Sequence, residues 1–101
     1  MALLSVSFTA PLWEYEGPAA WFFVSLPPEV ADEIADLVAD RATAFGSVRV
    51  GVRVGGTQWS TSLFPDKQRE TYVLPMKRAV REAEGLVEGG AVPVQLEVLA
   101  T

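Results

Sequence analysis

FGSVRVGVRVGGTQWSTSLF, residues 45–64, is the most strongly patterned part of this chain. Valines alternate with polar residues from Val48 to Val54, and a period of two resumes after Gly55-Gly56. That period marks a strand with one buried face. Two glycines between two such runs supply the positive φ values of a two-residue turn, so the stretch reads as one long β-hairpin. The turn sets the register: Val54 opposite Thr57, Val52 opposite Trp59, Val50 opposite Thr61 and Val48 opposite Leu63. This face is apolar and belongs to a core. The other face pairs Arg53 with Gln58, Gly51 with Ser60, Arg49 with Ser62 and Ser47 with Phe64. It is polar and basic, and dented at Gly51. A slip of one residue would exchange the faces, so any site on the hairpin depends on this register. A turn at Pro65-Asp66-Lys67 follows.

Upstream, Leu4, Val6, Phe8, Ala10 and Leu12 alternate with Ser5, Ser7, Thr9 and Pro11, which predicts a strand ending near Trp13. Pro11 cannot donate to a ladder and places that end on an edge or at a bulge. A turn over residues 14–18 leads to a second strand, Ala20–Leu26, apolar on both faces. Such a strand is central, or is covered by a helix or a second sheet. Pro27-Pro28 ends it and opens an amphipathic helix. Val30, Ile34, Leu37 and Val38 line one side of that helix; Asp32, Glu33, Asp36 and Asp40 line the other, and Arg41 follows. Thr43–Gly46 leads into the hairpin.

Downstream, Glu70–Leu74 reads as a short strand and Met76–Glu84 as a second helix, started by Pro75 and ended by Gly85. After Gly89-Gly90, the alternation of Val92, Val94, Leu96 and Val98 makes the last strand. The chain is thus mainly β with two short helices, in the order β-β-α-β-β-β-α-β. The expected architecture is a small six-stranded β-barrel capped by helices, in a single domain over residues 1–101. A sheet with both helices on one face is the competing arrangement.

Composition narrows the chemistry. The chain has no cysteine and no histidine. Disulfides, thiol nucleophiles, imidazole bases and zinc sites built on either side chain fall away, so an enzyme is the disfavoured class. Thr61-Ser62 with Lys67 and Tyr72 nearby has neither a GxSxG elbow nor SxxK spacing to make a nucleophile. No apolar run is long enough for a membrane helix. The first residues lack the basic segment of a signal peptide, and a cytoplasmic protein is expected.

The net charge of −5 is unevenly spread. Residues 1–40 carry −7, residues 41–81 carry +6 and residues 82–101 carry −4. The basic middle offers Arg49, Arg53, Lys77, Arg78 and Arg81, with Ser60 and Ser62 as hydrogen-bonding companions. Lys77 and Arg78 fall in the first turn of the expected second helix. Cations are disfavoured there unless an anion joins them. Arg49, Arg53, Ser60, Ser62, Lys77 and Arg81 are therefore the candidate site, for a small anionic ligand or an acidic peptide. The competing account is a solvated surface whose ion pairs are worth only about 0–1 kcal/mol each. Trp13, Trp21 and Trp59 could stack on single-stranded nucleic acid. The apolar setting of Trp21 and Trp59 assigns both to the core instead, and the net charge also opposes nucleic acid. A structural domain that forms homo-oligomers, acidic part against basic part, is the alternative role. A DNA-binding barrel is a further one, by analogy of shape alone.

The strings FGSVRV, GGTQWSTSLFPDK and YVLPMKRAVREAEGL, from Phe45 onward, resemble a bacterial family of unknown function, DUF1905. The Gly17-Pro18 turn before Ala20-Trp21-Phe22-Phe23, the Leu26-Pro27 step and the valine-rich last strand extend the resemblance over nearly the whole chain. It implies a small barrel with helices, similar in shape to double-split barrels. Some members are joined to a second domain associated with bacteriocin protection. No activity, cofactor or catalytic residue comes with the resemblance.

Overall fold

The computed structural model of the chain describes residues 2–39 and 46–99. Its elements are β1 (Ala2–Tyr15), β2 (Trp21–Ser25), α1 (Pro28–Val38), β3 (Val48–Val54), β4 (Thr57–Asp66), β5 (Thr71–Pro75), α2 (Arg78–Ala83) and β6 (Ala91–Leu99). The six strands close into an antiparallel barrel in the order β1-β2-β5-β4-β3-β6. The hairpin β3–β4 forms in the register set by its glycines, from Val54 opposite Thr57 to Val48 opposite Leu63. Its valines meet Val92, Val94, Leu96 and Val98 of β6 inside the barrel, all of them buried. Each such side chain contributes about 1.5–3 kcal/mol by leaving water.

The turn itself differs in one respect. Gly55 takes a φ of 58°, while Gly56 stays outside the left-handed region. A positive φ at the first central position alone is the pattern of a type II′ turn, not of type I′.

β1 runs on through Pro11 to Tyr15, and Pro11 has a strand partner on the β6 side only, the edge position that its missing N–H calls for. It sits opposite Ala91 at the last β1–β6 pair; from Leu12 onward β1 pairs with β2. A residue without an N–H is tolerated where the strand changes partner. The outward face changes there too, from Ser5, Ser7 and Thr9 to Trp13 and Tyr15.

The chain reverses later than Pro65-Asp66-Lys67, because β4 continues to Asp66. The Asp66 carboxylate accepts the backbone N–H of Arg69 at 3.1 Å and its guanidinium at 2.9 Å. Glu70, expected in a strand, closes the turn with a φ of 55°.

α1 buries Ala31 and Ile34 and leaves Asp32, Glu33 and Asp36 in solvent. Asp40, Arg41 and the lead-in from Thr43 to Phe45 lie outside the described residues. None of the helices among the described residues is long and apolar enough to cross a membrane. α2 is shorter than the sequence suggests, at six residues, and Lys77 precedes it in extended conformation. Met76 and Val80 nonetheless plug the barrel beside it, both fully buried.

The β4–β5 seam is brief. Only Phe64, Pro65 and Asp66 of β4 pair with β5. From Thr57 to Leu63, β4 has a strand neighbour on one side only, β3. On its other side it faces the start of α2 across a cleft.

Candidate functional site

The outward face of the hairpin carries Arg49, Arg53, Ser60 and Ser62 as its alternation requires. β6 and β1 extend this surface, with Gln95 and Glu97 next to Arg53 and Gly51, and Ser7 and Ser5 beyond them. The result is a groove of about 540 Å³ over Gly51, where no side chain fills the surface. Arg53 and Ser60 line it, but so does the carboxylate of Glu97. The groove is therefore polar, not uniformly basic.

A second cleft, of about 480 Å³, opens between β4, the start of β2 and the start of α2. Lys77, Arg78 and Arg81 line one wall, Trp59, Ser60 and Thr61 the other, and Trp21 and Phe22 complete it. Among the described residues, no Asp or Glu lines it. Arg81 is held in place: its Nε–H donates to the carbonyl of Met76 at 3.0 Å, and its guanidinium lies 4.0 Å from the centre of the Phe22 ring. Cation–π contacts of this kind contribute about 0.5–2 kcal/mol. Arg78 pairs with Glu82 at 2.9 Å, both side chains largely in solvent. Such a pair is weak and readily exchanged. Lys77 has no ion-pair partner among the described residues.

Beyond the cleft, the hydroxyl of Thr57 donates to the Glu84 carboxylate at 2.6 Å, tying the hairpin turn to the residue after α2.

The structure thus divides the candidate set drawn from the sequence. Ser60 lines both cavities, Arg53 the groove, and Lys77 and Arg81 the cleft; Arg49 and Ser62 stand on the hairpin face and line neither. The helix-start reason for choosing Lys77 and Arg78 holds in part. Arg78 opens α2 as expected, but Lys77 precedes it, and six residues sum to only a small dipole. What collects these cations is the approach of α2 to the open edge of β4.

Trp21 is a second correction. Its apolar strand predicts a core position, yet it is 57% exposed, at the lip of the cleft. Its partner in the ladder, Tyr15, is exposed as well. Among the described elements no helix or second sheet covers this side of β2. Trp13, Tyr15 and Trp21 instead pack around Phe23, with ring centres 5.2–6.4 Å apart. Arg69 lies 4.0 Å above Trp13, whose Nε1–H donates to Ser25 Oγ at 2.9 Å. Trp59 points inward and is only half-buried, because the seam is open beside it.

The family model described as a domain of unknown function, DUF1905, matches residues 8–96. A search among curated proteins finds no significant match.

Proposed function

Because the chain belongs to the DUF1905 family, whose name specifies a domain and no activity, we propose its role from the cleft: a binding module for an anion that carries a flat or apolar group. The observation that supports this reading is the composition of the cleft walls. Three cations, two tryptophans and a phenylalanine line one cavity that has no acid among its described lining residues. Cations gathered over low-dielectric walls concentrate anions from solution. Aromatic faces add contact area at small entropic cost. Arg81 is fixed before any ligand arrives, so less freedom is lost on binding. The groove over Gly51 is the weaker candidate, since Glu97 offsets Arg53.

Tryptophan fluorescence tests the proposal, with phenylphosphate and phenylacetate as probes. Saturable quenching is expected, weakened at least tenfold in the Lys77→Ala, Arg78→Ala double variant and by added salt. Trp21→Ala removes most of the signal and leaves the unfolding transition nearly in place. The absence of saturation with both probes, or equal affinity in the double variant, rules the reading out.

The exposed Tyr15, Trp21 and Phe64 on the outward face favour a second reading, an interaction domain that pairs with itself. Light scattering separates the two, since this reading requires a concentration-dependent dimer without any added anion.

A further inference from the structure

We infer that the occupant of the cleft is an extended acidic peptide segment of another protein, added as a strand to the open edge of β4. This inference rests on the cleft's role as an anion-binding site. A two-residue hairpin turn makes Val54 and Thr57 a hydrogen-bonded pair, and the pattern then alternates. Thr57, Trp59, Thr61 and Leu63 spend their backbone groups on β3. The N–H and C=O of Gln58, Ser60 and Ser62 point the other way, toward the cleft. Among the described residues, none of the backbone hydrogen bonds outside the regular strands and helices involves these three. β5 pairs with β4 only from Phe64 on, so the seam presents a vacant strand position bounded by Thr57 and Phe64. At about 3.3 Å per residue this slot is roughly 23 Å long, room for five to seven residues.

Charge selects the occupant. A strand in this slot alternates its side chains between the barrel side and the solvent side. On the barrel side it meets the half-buried Trp59. On the solvent side it runs between Ser60 and the cations Lys77 and Arg78. Glu or Asp at every second position, with apolar residues between, satisfies both sides. A main-chain ladder with side-chain pockets at alternate positions is the general logic of strand addition. A segment rich in Lys or Arg would meet its own charge there, and so would a second copy of β4, which brings Arg49 and Arg53 with its hairpin.

Amide hydrogen exchange read by NMR tests the inference, with the whole chain and an acetylated, amidated heptapeptide alternating Glu and Val. In the free chain, the Gln58, Ser60 and Ser62 amides exchange fast. With peptide they slow at least tenfold, while the Trp59 and Thr61 amides, already bonded to β3, change little. N-methylation at alternate peptide positions on the bonding edge weakens binding at least tenfold, and replacement of Glu by Lys abolishes it. Phenylphosphate binding without any peptide binding overturns the inference and leaves the anion site standing. Failure of both probes overturns both. Protection of the same three amides in the free chain at high concentration assigns the edge to a second copy and also overturns the inference.

Discussion

Replacing Gly55 by alanine tests whether the hairpin turn and α2 are coupled. Gly55 has a φ of 58°, where a Cβ costs about 1–2 kcal/mol. That Cβ would also collide with Glu84 Oε1 and lie 2.9 Å from its Cδ. The carboxylate can swing aside, but only by releasing the hydroxyl of Thr57. A half-exposed bond from a hydroxyl to a carboxylate is worth about 1 kcal/mol after allowance for solvent. Gly55→Ala should therefore cost about 2–3 kcal/mol, and lower the melting temperature by about 10–15 °C for a chain of this size. Glu84→Ala alone should cost about 1 kcal/mol by loss of the same bond. In the Glu84→Ala background the glycine replacement should cost only the backbone part, about 1–2 kcal/mol. Urea unfolding of the four proteins gives the cycle, provided the slope of the transition is unchanged. Equal losses in the two backgrounds would show that Glu84 does not sit over the turn. A loss below about 0.5 kcal/mol in the native background would refute the backbone conformation as well.

Two further outcomes follow from the β4–β5 turn. Partial burial raises the pKa of Asp66, but its bonds to Arg69 outweigh that and leave it below the ordinary carboxylate value. A carboxyl with a depressed folded pKa adds stability above its unfolded pKa and loses it as the pH falls through the folded one; Asp66→Asn should lower stability by the same amount at neutral and alkaline pH, and so flatten the acid limb of a urea-unfolding stability–pH curve below about pH 4. Glu70, at a φ of 55°, should be improved by glycine, with Glu70→Gly stabilising the chain by about 0.5–1 kcal/mol in urea unfolding.

The hairpin was legible because both of its determinants are local. A glycine pair fixes the turn, alternation fixes the faces, and each excludes the registers that the other leaves open. The same locality explains what was not legible. Pro11 signals an unpaired side, which the structure bears out, but only the partner strands place that edge where β1 passes from β6 to β2. Trp21-Phe22-Phe23 reads as a strand buried on both sides. In the barrel its outward side is covered only by its own aromatic neighbours, and Trp21 remains at the rim. Arg49, Arg53, Ser60 and Ser62 could be placed on one face from the register alone. Their relation to Lys77 could not, because it depends on how far β5 accompanies β4, a pairing between separate parts of the chain.

Strand length accounts for the open seam. β4 has ten residues and β5 five, and β5 must also pair with β2. It cannot cover β4 from end to end, and the remainder of β4 faces α2 across the cleft. Met76 and Val80 supply apolar cover there but no ladder, so the backbone groups of Gln58, Ser60 and Ser62 are left to water, where they carry little cost. Exposed edges invite self-pairing, and natural sheets guard them with charge. Arg49, Arg53, Lys77 and Arg78 fit that protective role against a second copy of the same hairpin. Repulsion of like charge and attraction of unlike charge are one field, however. An edge so guarded against itself discriminates in favour of an acidic strand, and the two effects add in the difference of affinities that makes a partner specific.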